Sequence, residues 1–377
     1  TEIAACMPVI VRALDRSSLE PAGKLGWAVD AVLKDQFGVC DAFAEYLHRK
    51  HPKAAWNALA DQLLARLRTL KRARNENRFS SDFARDQLSD WTIHALERAR
   101  RSEEIISLCE AEAEKTGSYD RLVRRLIDVG RYEDAERWIQ KGIKATKKKW
   151  PGIASSLRGK LLEIRTRQKD WPAVAAIQVE TFVRHPSRRT FTDCRKVAAK
   201  VKAWPTIRGR LLDYLERGML PWKQKGWPFP ESGLDAPEPS RQDRFPMIEE
   251  LIDIAICEKK PDMVLHWYDQ LPQRRRSFGW YGIGEDSIAK AVQSYAPDRA
   301  VAIWKGLAER LIAQVKPSAY REAAKYLRKA GRLMTGQKKQ EEWRQYLQDL
   351  REKHARKRRL MEILDALEGN RIVKKRR

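Results

Sequence analysis

Apolar residues recur along this chain at the spacing of a helix with one buried stripe. From Trp56 the series runs Trp56, Leu59, Ala60, Leu63, Leu64, Leu67, Leu70, the i, i+3, i+4, i+7 pattern that places side chains on one helical face. A second series is Trp304, Leu307, Ala308, Leu311, Ile312, Val315, and a third Trp343, Tyr346, Leu347, Leu350. No segment alternates strictly between hairpin turns, and 19 Gly with 17 Pro in 377 residues is too few for a turn-dense β protein. The pattern predicts an all-α chain.

The helices are also expected to recur in pairs. In Leu122 to Ile143, Gly130 is placed to end one helix in the left-handed conformation, and Tyr132-Glu133-Asp134-Ala135 opens the next. This resembles the corner of a tetratricopeptide unit, where a small residue lets two helices approach. Weaker corners read Lys169-Asp170-Trp171-Pro172, Lys202-Ala203-Trp204-Pro205, Lys260-Pro261-Asp262-Met263 and Ala296-Pro297-Asp298-Arg299-Ala300. With Tyr132, Trp171, Trp204, Pro261 and Pro297 as anchors, the spacings are 39, 33, 57 and 36 residues, and three of the four suit two-helix repeats. The long interval holds a Pro- and Gly-rich insert. The fold expected is an α-solenoid of antiparallel helix pairs with an N-terminal helical cap. Its predicted parts are 1–115 (four or five helices), repeats 116–218, an insert loop 219–246, repeats 247–350, and a basic helix and tail 351–377. Trp-Pro pairs recur at Trp150, Trp171, Trp204 and Trp227; those at Trp171 and Trp204 read as corner wedges before a helix-starting Pro, and Trp227, in the insert, is expected at the surface.

Charge is the strongest chemical signal. The chain carries 76 Lys+Arg against 51 Asp+Glu, a formal net charge of +25, which favours polyanionic partners without specifying one. Clusters fall at Arg66–Arg78, at Lys147-Lys148-Lys149 beside Trp150, at Arg274-Arg275-Arg276 beside Trp280 and Tyr281, and at Arg356-Lys357-Arg358-Arg359 before the basic terminus. Cations displace counterions from phosphates and rings stack on unpaired bases, so the candidate partner or nucleic-acid contacts are Arg274, Arg275, Arg276, Trp280 and Tyr281 first, then Lys147, Lys148 and Lys149 and Arg356, Lys357, Arg358 and Arg359.

No phosphate-binding loop, nucleophile elbow or His-Glu-x-x-His motif occurs, and the glycine-rich run 279–284 follows no strand. Neither catalysis nor a cofactor is expected. Five scattered cysteines without C-x-x-C spacing suggest buried thiols in a reducing cytoplasm. Cys40, His48 and His51 match no standard zinc spacing, so no metal is expected. No uncharged run is long enough to span a membrane.

Two stretches carry a family resemblance. Lys24 to Arg66 is similar to the helical region following the finger of bacterial SWIM zinc-finger proteins, and Leu350 to Leu367 resembles their closing basic helix. The finger's C-x-C and C-x-H pairs are missing here, so no zinc site carries over. The resemblance implies a carboxy-terminal helical-repeat scaffold cut from, or evolved away from, a longer protein. Its expected role is protein–protein interaction; the alternative is a nucleic-acid-binding module.

Overall fold

A computed structural model describes residues 2–35, 37–70, 78–238, 244–271 and 284–367. Among the described residues there are nineteen α-helices and no strand. The chain divides into two compact units, Thr1–Asp170 and Trp171–Arg377.

The first unit holds α1 (Glu2–Arg16), α2 (Pro21–Lys34), α3 (Asp41–His48), α4 (Lys53–Thr69), α5 (Arg78–Ala99), α6 (Ser102–Thr116), α7 (Tyr119–Asp128), α8 (Tyr132–Thr146) and α9 (Pro151–Arg167). Six helices thus precede Gly117, where four or five were expected. The stripe from Trp56 is the buried face of α4: Trp56, Leu59, Ala60, Leu63 and Leu67 are each at most 4% exposed. Leu70 lies past the helix end and is open to solvent. Helix α2 packs on α3 and α4, and from α4 onward each helix of the unit packs on its successor.

The second unit holds α10 (Trp171–Arg184), α11 (Arg188–Lys200), α12 (Trp204–Arg217), α13 (Ile248–Cys257), α14 (Pro261–Gln270), α15 (Glu285–Val292), α16 (Pro297–Ala313), α17 (Pro317–Gly336), α18 (Gln340–His354) and α19 (Arg358–Leu367). Trp304, Ala308 and Ile312 are buried as their periodicity predicts, as are Leu347 and Leu350. Val315 falls beyond α16 and is exposed. Fully burying each large side chain contributes about 1.5–3 kcal/mol.

All five anticipated anchors, Tyr132, Trp171, Trp204, Pro261 and Pro297, are the first residues of helices. Most of these junctions share one backbone device. At Arg100, Gly130, Lys169, Lys202, Lys259 and Lys338 the chain enters the left-handed region, with φ from 56 to 76°. The N–H of each donates to the carbonyl three residues back, as Lys202 does to Ala199 at 3.1 Å. The next N–H donates five residues back, as Ala203 does to Ala198 at 2.9 Å. The following residue starts the new helix. This is a Schellman cap, which satisfies carbonyls that a helix end otherwise leaves bare. Only one of the six is glycine; the rest are Lys or Arg, whose charge suits the negative end of a helix. Among the described residues these corners lie at the α5/α6, α7/α8, α9/α10, α11/α12, α13/α14 and α17/α18 junctions. At α15/α16 Pro297 closes differently, with Tyr295 and Ala296 both donating to Val292.

The insert is packed onto the second unit rather than left as a free loop over its described part. Leu220, Phe229 and Ser232 are buried. Arg210 of α12 donates from Nη2 to the carbonyls of Lys225 at 2.9 Å and Gly226 at 2.7 Å. Its guanidinium lies 5.6 Å from the Trp227 ring, which meets Phe229 edge-on. Trp227 is therefore half-buried against the core, correcting the expectation of a surface ring. The expected basic helix from residue 351 is also two elements: α18 runs through His354, a turn follows, and α19 begins at Arg358.

Candidate interaction site

Among the described residues two of the basic clusters meet a cavity: Arg68 reaches a cavity of about 510 Å³ where the Arg85–Glu112 pair also lies, and Lys149 reaches a second that exposed aromatic rings border. This second cavity is a cleft of about 560 Å³ in the first unit, between the start of α5, the α6/α7 junction, and the α8/α9 junction. Gly117 ends α6 with φ 81°, its N–H donating to Ala113 at 2.9 Å. The Trp150 ring lies in van der Waals range of where a side chain on Gly117 would project. The turn after α8 is fixed by Trp150 N–H donating to Thr146 at 2.8 Å. Tyr119, Ala145 and Ile153 line the apolar floor, and Phe83 of α5 and Trp150 stand at the lip, 56% and 41% exposed.

The polar groups of the cleft are mixed in sign: Lys115 and Lys149 face Asp82, Asp86 and Glu114. Asp86 accepts from Ser118 and from Arg121 at 2.8 Å, Glu114 from Lys141, and Lys115 pairs with Glu112 at 3.0 Å. Lys149 stands exposed at the rim. Such an arrangement offers an apolar seat with two aromatic walls, a fixed pair of carboxylates and a solvated ammonium. It holds no nucleophile–base couple, and among the described residues no three His, Cys, Asp or Glu gather as a metal site. Cys40, His48 and His51 accordingly do not converge; the His51 ring bonds the Tyr46 carbonyl at 2.8 Å. Burial pushes the Cys109 and Cys194 thiols up, away from reactive thiolate.

The other sequence candidates separate. Lys147 and Lys148 are exposed beside Lys149, just past α8. Arg356, Arg358 and Arg359 are exposed in the second unit, but Lys357 is partly drawn in, its Nζ donating to the Ile312 carbonyl at the end of α16 at 3.2 Å. Lys357 thus has a structural partner that its place in a basic run did not suggest. Arg274, Arg275, Arg276, Trp280 and Tyr281 lie outside the described residues, as does the terminal basic run. Phe83, Asp82 and Lys115 were not singled out from the sequence, because they reach the cleft from helices far from Trp150 along the chain. No family model, curated protein or solved structure matches this chain. Among the described residues no helix is long and apolar enough to cross a membrane.

Proposed function

We propose that this chain is a non-enzymatic helical-repeat scaffold for protein–protein interaction. Within each unit the helices on either side of a Schellman corner form antiparallel hairpins stacked side by side, tetratricopeptide-fashion. The observation that carries the reading is the recurrence of that corner, with the same two hydrogen bonds, at six junctions among the described residues from Arg100 to Lys339. Repetition of one corner sets helices at regular offsets, the geometry that presents side chains over an extended binding face.

The cleft at Phe83 and Trp150 is the proposed docking site. Exposed rings over an apolar floor suit a bulky apolar anchor side chain, and Lys149 at the rim suits a neighbouring Asp or Glu of the same peptide. Asp82, Asp86 and Glu114 disfavour a phosphate backbone there. On the same footing stands the relationship to SWIM zinc-finger proteins, which rests on residues 24–66 and 350–367.

Selection from a displayed random peptide library tests the site. Enrichment of peptides pairing an apolar anchor with an acidic residue is expected. Their affinity should fall about tenfold or more in Trp150→Ala, the loss of one anchor contact of at least ~1.4 kcal/mol. No enrichment, or peptides indifferent to Trp150→Ala and Phe83→Ala, overturns the assignment.

A further inference from the structure

One helix face carries positive charge that the fold leaves largely uncompensated. On α17, Tyr320, Ala323, Ala324, Leu327, Ala330, Gly331 and Met334 are buried. Arg321, Lys325, Arg328 and Arg332 are exposed. Their spacing of four, three and four residues places them in one row, and eleven residues of helix span roughly 16 Å. Glu322 is the one acidic residue of α17, and it pairs with Lys325 at 2.7 Å. Among the described residues no carboxylate pairs with Arg321, Arg328 or Arg332.

Several basic groups on the packed helices of this unit do have carboxylate partners. Arg208 grips Glu258 with two bonds of 2.6 Å, Arg299 pairs with Asp269 and Arg310 with Glu285, and Lys329, on the flank of α17, donates to Asp286 at 2.6 Å. Among the described residues Arg321, Arg328 and Arg332 have no such partner, and the like charges of the row repel their neighbours at i, i+3 and i, i+4. A bound polyanion relieves that repulsion. No large apolar side chain of α17 is exposed, so the face lacks the apolar centre a protein partner needs. Three of the four cations are Arg, whose planar fork matches phosphate oxygens.

We propose that this face of α17, through Arg321, Lys325, Arg328 and Arg332, binds the phosphodiester backbone of nucleic acid. The assignment goes beyond the protein-interaction role and uses none of the cleft residues. With no exposed ring in the row, contact is to phosphates alone and ignores base sequence.

The test is fluorescence anisotropy of the full chain with labelled single-stranded RNA, single-stranded DNA and duplex DNA over a salt series. The variant Arg321→Gln/Lys325→Gln/Arg328→Gln/Arg332→Gln is compared with a control that removes the same charge elsewhere, Arg195→Gln/Arg217→Gln/Lys223→Gln/Lys225→Gln. Loss of four phosphate contacts should flatten the log K against log salt slope by about 3 and weaken binding about tenfold or more at low salt. The control should stay within about threefold. Gln preserves helix propensity, and unchanged circular dichroism with an undiminished urea midpoint shows that the variant folds. Equal losses in both variants reduce the effect to net charge and overturn the proposal. So does absence of binding, or a polyglutamate peptide of matched charge competing as well as the nucleic acids.

Discussion

Arg85 clasps the carboxylate of Glu112 with Nε and Nη2, the latter at 2.9 Å, in a pair whose side chains are 7% and 6% exposed. Its other contacts run backward along the chain. Nη1 donates to the Leu70 carbonyl at 2.8 Å and Nη2 to Leu67 at 3.0 Å, so one guanidinium on α5 caps the end of α4 and holds α6. The bond to Glu112 is the main cause that raises the Arg85 pKa. Burial pushes Glu112 up, but the bonds from Arg85 and Lys115 outweigh it and hold the carboxyl below its usual range.

Removing one partner leaves a buried charge without its match. Arg85→Leu is expected to cost about 3–5 kcal/mol in urea unfolding, and adding Glu112→Leu to recover most of it, since a well-packed apolar replacement is often neutral. A single variant that unfolds at the wild-type midpoint contradicts this view of the pair.

Glycine has opposite value at two helical sites. A Cβ on Gly159 in α9 meets nothing within 4 Å, so Gly159→Ala should stabilise by about 0.5–1 kcal/mol. A Cβ on Gly331 would lie 2.8 Å from the Trp343 ring, and overpacking there costs about 1–3 kcal/mol. Gly331→Ala should therefore lower the thermal midpoint while Gly159→Ala raises it.

The Schellman corners predict a change of another kind. Gly130 has φ 76°, which an alanine side chain adopts only with strain, so Gly130→Ala should destabilise by about 1 kcal/mol. Lys202→Gly, at φ 56°, should be neutral or stabilising, because relieved strain offsets the looser unfolded chain. Chemical denaturation of both variants separates these signs.

His94 sets an acid limit. Its ring meets Trp56, Trp91 and His48 edge-on, and its Nε2 is buried without a hydrogen-bond partner. Burial, then the charges of Arg98 and His48, lower its pKa from the ordinary 6.5. A base with a depressed folded pKa leaves stability intact above the unfolded value and loses it as pH falls through the folded one. The urea midpoint should be level above about pH 6.5 and decline below it, and His94→Phe should reduce that decline. His354 is lowered in the same direction, also chiefly by burial, so part of the slope should persist in the variant.

The anchors at Tyr132, Trp171, Trp204, Pro261 and Pro297 were readable because Gly, Pro and first-turn acids mark helix boundaries in local sequence. The equivalent corner at Arg100-Arg101 was not, since no residue there announces a left-handed turn; only the hydrogen bonds to Glu97 and Leu96 show it. Trp227 was misplaced because its burial depends on Arg210, brought against it by tertiary folding. The cleft was half legible: Lys149 and Trp150 stood out as neighbours, whereas Phe83 and Asp82 join them only through packing of α5. The row on α17 obeys a plain 4-3-4 spacing, yet in an Arg-rich chain spacing alone does not tell an unpaired cation from one such as Arg208 whose carboxylate arrives from another helix.

The capped junctions have a consequence for chain length. Where two fixed hydrogen bonds dictate the bend, an added or lost residue breaks the cap, so the intervening connections are where extra residues cost least, and the long excursion between α12 and α13 is one of these. Lengthening, trimming or ornamenting those stretches leaves both hydrogen bonds of each cap intact, so the bend itself is conserved through such changes.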